Sequence, residues 1–236
     1  MIELVVKDIH TFYGTSHILF GVSLEVRRGE YVCLIGRNGA GKTTTLKTIM
    51  GLAQARQGTI LYDGKNLMGL PPYEIALMGV GYVPDERLIF PDLTVRENLE
   101  IAAKKPVDPQ AAPWTIDRIY ELFPALRPLD DHHGGYLSGG EQQMLTMGRT
   151  LMGNPSLMLL DEPVEGLAPV IVQELTQQIL HLKTVGLSIL FAEQNIQFSA
   201  EISDRAYVIE GGRVRYAGTL ADLENQPEIK GKYLMI

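Results

Sequence analysis

The chain is short of cysteine and of long apolar runs, and each shortage excludes a class of protein. Cys33 is the only cysteine among 236 residues, so a disulfide framework is excluded and a reducing compartment is expected. The longest apolar runs, such as Leu157 to Leu160, fall far below the roughly 20 residues of a membrane-spanning helix. Since Met1 to Asp8 alternates in polarity and carries charge early, we expect no signal peptide and a protein that is soluble when isolated.

Positive charge is also scarce. The net charge of −7 argues against a nucleic-acid-binding surface, because such a surface is usually basic. What remains is an ordinary globular balance, with 45% hydrophobic and 21% charged residues. A chain of this length can form one large domain, or a core with a satellite subdomain.

The most informative segment is Gly36 to Thr43, which fits the phosphate-binding P-loop pattern G-x-x-x-x-G-K-[ST]. It follows the apolar run Tyr31 to Ile35, which is typical of a buried parallel strand, and precedes a helical pattern that ends at Gly51. Successive backbone N–H groups of such a loop surround a phosphate, and glycines allow the close approach. A glycine-rich turn with a stray lysine would match by chance in roughly one such chain in a hundred. The segment therefore predicts a nucleotide site.

The P-loop pattern also assigns chemistry to particular side chains. Lys42 would reach the β- and γ-phosphates, and the Thr43 hydroxyl would bind Mg²⁺. The second half of the site is expected at Leu157 to Leu160, an apolar strand beside the P-loop strand that ends in two acids. Asp161 would hold Mg²⁺ through water, and Glu162 would act as general base on the attacking water. The alternative is that the two acids cap the next segment.

A second glycine-containing helix start lies at Leu137 to Gln143. Ser138 and Glu141 have the spacing of a capping box, and Gly139 and Gly140 between them expose backbone N–H groups. The pattern is consistent with a well-formed helix N-terminus alone, and also with a second anion site. Both interpretations stay open at this point.

The remaining patterns predict an α/β protein with a mostly parallel sheet, an antiparallel β part and a helical insert. Residues 2–9 and 19–26 read as antiparallel strands, and 205–210 and 213–217 flank a Gly-Gly hairpin turn. The middle section has helical patterns without clear strands, including a capping box at Thr94. We predict a single domain, 1–236, in which about 1–84 and 156–236 form the core and about 85–155 form a helical subdomain.

Taken in this order, Gly36 to Thr43, Leu137 to Gln143 and Leu157 to Glu162 resemble the ATP-binding cassette of ABC transporters over essentially the whole chain. The segments 81–87, 90–99, 161–169 and 192–195 are similar to the ATPase subunits of branched-chain amino-acid importers. The resemblance implies a RecA-like P-loop core, hydrolysis of ATP, and Mg²⁺ as cofactor.

The resemblance also implies roles for matching residues. Tyr13, which by itself reads as plain packing, would stack on adenine. The signature, Leu137 to Glu141, would contact ATP held by a second cassette, through Leu137, Ser138, Gly139, Gly140 and Glu141. Glu162 would be the catalytic base, and Asp161 and Thr43 would serve the metal. The implied ATP-binding residues of the loop are Gly36, Arg37, Asn38, Gly39, Ala40, Gly41, Lys42, Thr43 and Thr44.

Two positions depart from the wider family pattern. Asp85 stands where most cassettes have a glutamine that contacts Mg²⁺ and the attacking water. Gln194 stands where most have a histidine; a glutamine can donate to a γ-phosphate oxygen but cannot become charged. By resemblance, Asp85 would assist the metal and the water, and Gln194 would assist catalysis.

The resemblance predicts the energy-coupling ATPase of an importer, peripheral at the cytoplasmic face of the inner or plasma membrane. Its implied partners are a second cassette, two transmembrane permease subunits and, indirectly, an extracytoplasmic solute-binding protein. A heterodimer of cassettes is favoured over a homodimer. The cargo would be branched-chain amino acids, with urea, amides or another polar solute as the alternative.

Other P-loop proteins fit less well. Non-transport cassettes of chromosome maintenance and DNA repair separate the P-loop from the signature by a long coiled coil, whereas here Lys42 and Asp161 are only 119 positions apart and no heptads lie between them. A P-loop kinase or GTPase has no use for the signature, and no Asn-Lys-x-Asp guanine motif occurs. No nucleic-acid partner is expected.

Overall fold

Two β-sheets, one antiparallel and one mostly parallel, organise the protein in the computed structural model, which describes residues 1–224. The last part of the predicted core segment, 225–236, lies outside the described residues. The ten strands of the described part are β1 (Ile2–Tyr13), β2 (Ser16–Arg27), β3 (Tyr31–Ile35), β4 (Ala55–Tyr62), β5 (Lys65–Asn66), β6 (Val80–Val83), β7 (Leu157–Asp161), β8 (Ser188–Glu193), β9 (Arg205–Glu210) and β10 (Arg213–Gly218).

Eight α-helices cover much of the rest of the described chain. They are α1 (Lys42–Ile49), α2 (Pro72–Leu77), α3 (Val95–Glu100), α4 (Ile116–Leu122), α5 (Gly139–Met152), α6 (Pro169–Thr184), α7 (Ile196–Ile202) and α8 (Leu220–Glu224). Two 3₁₀ turns, Pro124–Leu129 and Gly134–Tyr136, lie between α4 and α5. The sequence patterns missed α7, which follows β8 directly, and the two-residue β5.

The antiparallel sheet has the order β2-β1-β4-β5. Its first two strands are longer than predicted, because pairing continues to Tyr13 opposite Ser16 across a two-residue turn. In this extension the Phe12 ring stacks on His17 of the neighbouring strand, with centroids 4.0 Å apart. Such cross-strand contacts stabilise a hairpin but leave no alternating pattern in a single strand.

The second sheet has the order β10-β9-β3-β8-β7-β6, and all its pairs are parallel except the β9–β10 hairpin. Strands β3, β7 and β8 are buried along their whole length, as expected of strands covered on both faces. The predicted α/β class with a mostly parallel sheet is therefore confirmed.

One predicted neighbour relation was wrong. β7, the strand that ends in Asp161, does not pair with β3; β8 lies between them and pairs with both. All three strands are short apolar runs with the same burial, so nothing in their residues distinguishes the central strand from its neighbours.

The section between Asp85 and Pro155 is helical, as predicted. Within this section β structure is limited to an isolated bridge between Thr94 and His133. Its helices α3, α4 and α5 pack together through residues such as Leu99, Ile119 and Leu145, which belong to the same hydrophobic cluster as residues of the parallel sheet. Because this core is continuous, the division into a core and a separate helical subdomain stays a prediction.

Candidate active site

The P-loop connects the end of β3 to the start of α1, at the edge of the sheet where the parallel strands end. The amide of Gly36 donates to the Glu193 carbonyl at 3.2 Å, which joins the loop to the end of β8. A side chain at position 36 would stand 2.4 Å from the Ile209 carbonyl, so this position requires glycine. Gly41, immediately before α1, has a φ of 111° that other residues rarely adopt. The loop thus has the tight turn that the sequence pattern predicted.

Lys42 is folded back over the loop and is almost fully buried. Its Nζ donates to the carbonyls of Gly36 at 2.9 Å and Arg37 at 3.3 Å, and lies 2.9 Å from Glu162 Oε1. The ammonium group therefore lies between the loop and the predicted catalytic base. Arg37, which follows Gly36, is exposed.

Thr43 and Asp161 are brought together although β8 separates β7 from β3, the strand that leads into the P-loop. The Thr43 hydroxyl donates to Asp161 Oδ1 at 3.0 Å, and the Tyr82 hydroxyl donates to Asp161 Oδ2 at 3.1 Å. Burial raises the pKa of Asp161 to about 6, while the Thr43 hydrogen bond acts against this increase. A hydroxyl beside a carboxylate is a set of hard oxygen donors that fits Mg²⁺. Tyr82 was missed, although its place in β6 puts it on the strand next to β7.

Glu162 has a left-handed backbone conformation, with φ of 46°. Such a conformation costs a residue other than glycine roughly 1–3 kcal/mol, so surrounding contacts must hold it. Its amide donates to the Ala192 carbonyl at 3.0 Å. Burial acts to raise the pKa of its carboxyl, but hydrogen bonds with Glu165 and Lys42 outweigh it and leave the pKa below the usual value. Glu162 is therefore ionised at neutral pH and can accept a proton.

Two further acids close to Glu162 were not identified from the sequence. The hydrogen bond with Glu162, followed by burial, raises the pKa of Glu165 to about 7. Glu193 is buried at the end of β8, where Oε2 accepts the amides of Gln194 and Asn195, each at 3.0 Å. Burial raises its pKa as well. The site therefore gathers more carboxyl groups than the sequence motifs indicate.

Asp85 and Gln194 lie at the ends of β6 and β8 and are both exposed. Asp85 is close enough to Asp161 for its negative charge to raise the pKa of that carboxyl. In the described part of the chain no side-chain hydrogen bond joins either residue to Thr43, Asp161 or Glu162. Both residues lie at the predicted edge of the sheet, where the parallel strands end. Their roles in metal binding and catalysis stay predictions.

Tyr13 ends β1 and is 48% exposed. Within residues 1–224 no other aromatic ring stacks on it. Its predicted contact with adenine stays a prediction.

The signature segment forms the predicted capping box at the start of α5. Glu141 Oε2 accepts the Ser138 amide at 2.7 Å, and Ser138 Oγ accepts the Glu141 amide at 3.4 Å. Leu137 is buried and anchors the segment, whereas Ser138 is exposed. A Cβ at Gly140 would stand 2.9 Å from Ile171, so α6 backs this glycine closely.

Strand, glycine loop, buried lysine and paired threonine and aspartate define a P-loop nucleotide-binding protein. The family model described as "ABC transporter" matches residues 19–165, which include the P-loop, the signature and the acids after β7. The chain is 43% identical over 226 residues to the high-affinity branched-chain amino acid transport ATP-binding protein BraG of Pseudomonas aeruginosa, covering 96% of this chain and 97% of the relative. It is 39% identical to the probable branched-chain amino acid transport ATP-binding protein LivF of Archaeoglobus fulgidus, covering 89% of each.

A solved structure of a nucleotide-free ATP-binding cassette from an ABC transporter superposes with a TM-score of 0.83 at 27% identity, covering 97% of each chain. The chain therefore belongs to the ABC transporter family and is an ATP-hydrolysing enzyme. Among residues 1–224 there is no helix of the length and apolarity that a membrane span requires.

Proposed function

We propose that the chain is the ATP-hydrolysing, energy-coupling subunit of an importer for branched-chain amino acids. The observation that supports branched-chain amino acids as the cargo is the 43% identity to BraG along 96% of the chain. The observation that carries the chemistry is the meeting of Lys42, Asp161 and Glu162 at one edge of the sheet. Cargo recognition itself would belong to the permease and the solute-binding protein.

In the proposed reaction each residue has a defined task. Lys42 leaves Glu162 and pairs with the β- and γ-phosphates, while the loop amides from Gly36 to Thr44 surround them. Thr43 and Asp161 would hold Mg²⁺, which would supply positive charge to neutralise the phosphates. Glu162 takes the proton of the attacking water.

The residues around these groups have supporting tasks. Tyr13 stacks on the adenine ring, since a π-face needs no particular base edge. Gln194 donates to a γ-phosphate oxygen. Asp85 would accept a hydrogen bond from water or meet the metal, and a bound cation would offset its charge.

The signature would complete the active site of a second cassette. Ser138 is exposed at the N-terminus of a 14-residue helix, where backbone amides and the helix dipole favour an anion. We propose that two cassettes associate head to tail on two ATP molecules. The second is a related but different subunit, and a homodimer is the alternative outcome of the test below.

A surface cleft supports the proposal that the chain binds a membrane-embedded partner. It encloses about 460 Å³ between α2 and β6 on one side and the helical section on the other. Exposed apolar side chains line it, including Leu52 at 52% and Ile101 at 63% exposure. Arg149 also lines it, and its buried Nε has no hydrogen-bond partner in the described chain. We propose that a cytoplasmic loop of a permease subunit occupies this cleft, which makes the protein peripheral at the cytoplasmic face of the membrane.

The test is reconstitution of the chain with its permease, partner cassette and solute-binding protein in vesicles. We expect ATP-dependent uptake of labelled leucine that stops when Glu162→Gln replaces the wild-type chain. Uptake of urea or an amide in place of leucine would overturn the proposal that the cargo is a branched-chain amino acid. ATP hydrolysis that needs nucleic acid and no permease would overturn the transport role. A dimer mass by light scattering for this chain alone with ATP shows a homodimer, and a dimer that forms only after the partner cassette is added shows a heterodimer.

A further inference from the structure

Arg87 contacts two motifs that are far apart in the sequence. Its Nη2 donates to the Glu165 carbonyl at 2.7 Å, three residues beyond Glu162. Its Nη1 approaches the start of α5 so closely that a Cβ on Gly139 would stand 2.7 Å from it. The guanidinium group therefore lies between the turn that carries the catalytic base and the first residue of the signature helix.

The turn after Glu162 needs support from outside. Glu162 has a φ of 46°, a conformation that its own side chain disfavours. The Glu165 amide donates back to the Glu162 carbonyl at 3.1 Å, which closes the turn. The carbonyl of Glu165 takes no part in that bond, and Arg87 is the side chain that binds it.

Arg87 itself is held in a costly conformation, with φ of 48°. No carboxylate of the described chain forms an ion pair with it, whereas its neighbour Glu86 pairs with Lys47 of α1 at 3.8 Å. Its guanidinium is also close to the positive end of α5, which by itself is unfavourable. A strained arginine that forms no ion pair and lies beside a helix N-terminus is best explained by the backbone contact it makes.

We propose that Arg87 is a positioning residue for hydrolysis, which fixes the Glu162–Glu165 turn and couples its position to the signature helix through the space left by Gly139. The proposal rests on the proposed ATP hydrolysis at Glu162 and gives a role to a residue of the segment 81–87 to which the resemblance assigned none. It also gives Gly139 a second reason to be glycine, because any side chain there would displace Arg87.

The first experiment compares Arg87→Ala, Arg87→Lys and Arg118→Ala in the full complex. Arg118 is the matched control, because it also donates to backbone carbonyls, those of Ala112 at 2.9 Å and Pro113 at 2.7 Å, but away from the site. We expect Arg87→Ala to lower kcat for ATP by about 10- to 100-fold, the order of loss that a displaced catalytic group causes. The KM for ATP stays within about twofold, because ground-state binding is left intact.

Arg87→Lys keeps one donor and should recover part of kcat, while Arg118→Ala should match the wild type. A merely structural role would instead lower the unfolding temperature without this split between kcat and KM. Equal kcat in Arg87→Ala and Arg118→Ala would overturn the proposal, as would a loss confined to KM. Failure of the proposed function looks different, because the wild-type complex would then hydrolyse ATP without importing leucine.

The second experiment tests the coupling to Gly139. Gly139→Ala should displace Arg87, so the double variant Arg87→Ala/Gly139→Ala should be no slower than Gly139→Ala alone. Such non-additivity is expected when two residues act through one contact. If the two losses in kcat multiply in the double variant, the link between Arg87 and the signature helix is refuted.

Discussion

The P-loop and the signature are both glycine-rich turns that open a helix, but they differ in how much of their surroundings this chain supplies. At the P-loop, Lys42 is 4% exposed and contacts two carbonyls and Glu162, and Thr43 contacts Asp161. At the signature, Ser138 is exposed and its capping box is formed by Glu141 of the same turn. The neighbouring Tyr136 is 85% exposed.

The difference supports the proposal that the P-loop belongs to a site built within the chain and that the signature belongs to a site shared with a second chain. At the P-loop, charged side chains are buried, which costs free energy. At the signature, the groups offered are backbone amides and a capping side chain, and leaving these exposed to water costs little free energy. Four substitutions test this contrast, in order of decreasing expected effect.

The largest effect is expected at the P-loop side, in Glu162→Gln. Glutamine keeps the size of the side chain but cannot take a proton from water, so steady-state hydrolysis should fall by roughly 10²–10⁴-fold. Binding of ATP with Mg²⁺ should persist. Hydrolysis and nucleotide binding are measured on the complex, with the exposed Glu121→Gln as control. Near-normal turnover in Glu162→Gln would show that Glu162 is not the catalytic base.

The cost of burying charge predicts the second effect, in Asp161→Asn. Burial raises the pKa of Asp161 from 3.8 to about 6, so the folded protein binds this proton more tightly than the unfolded chain. The contribution of Asp161 to stability is therefore present below about pH 4 and is lost as the pH rises to about 6. At pH 8 the asparagine variant should be more stable without nucleotide, by at most roughly 3 kcal/mol.

This stability difference should shrink below pH 6 and nearly vanish at pH 4. Denaturant unfolding of both proteins at pH 4, 6 and 8 measures it. Curves that stay parallel over this range would show that the Asp161 carboxyl has an ordinary pKa.

An intermediate effect is expected from Tyr13→Ala, which tests how far the nucleotide site extends beyond the loop. Loss of stacking on a base is worth about 1–3 kcal/mol, so the KM for ATP should rise about tenfold with little change in kcat. Tyr73→Ala is the matched control, since Tyr73 is 64% exposed on α2. If Tyr13→Ala and Tyr73→Ala have the same KM for ATP, Tyr13 does not bind adenine.

The smallest effect compares two capping boxes, at Ser138 of α5 and Thr94 of α3. Ser138→Ala and Thr94→Ala should each lower the free energy of unfolding by about 1 kcal/mol, because each leaves a helix amide without its acceptor. Only Ser138→Ala should also slow hydrolysis in the assembled complex. Equal hydrolysis rates in the two variants would reduce the signature serine to a cap.

Much of the local structure could be predicted from the sequence. The P-loop turn, the helix starts at Ser138 and Thr94, and the hairpin at Gly211 and Gly212 all depend on residues a few positions apart. The helical section and the mostly parallel sheet were also predicted correctly, because hydrophobic period and strand length carry that information. The family resemblance, now confirmed by the comparisons, carried the function.

What was missed depends on contacts between distant segments. Tyr82 and Glu193 have no role assigned by any motif, and their importance comes from lying near Asp161 or Glu162 in space. Arg87 reaches Glu165 across 78 positions in the sequence. No short-range spacing records such a contact.

The sequence by itself determined which local units this protein would have and which chemistry they could perform, because turns, caps and phosphate-binding amides are set by nearby residues. Only the tertiary structure decided that β8 separates β3 from β7, that Lys42 contacts Glu162, and that Arg87 binds the turn beyond Glu162. Those features follow from the order in which buried strands pair. Strands of similar length and hydrophobicity do not encode that order locally, so it is fixed only when the whole core packs.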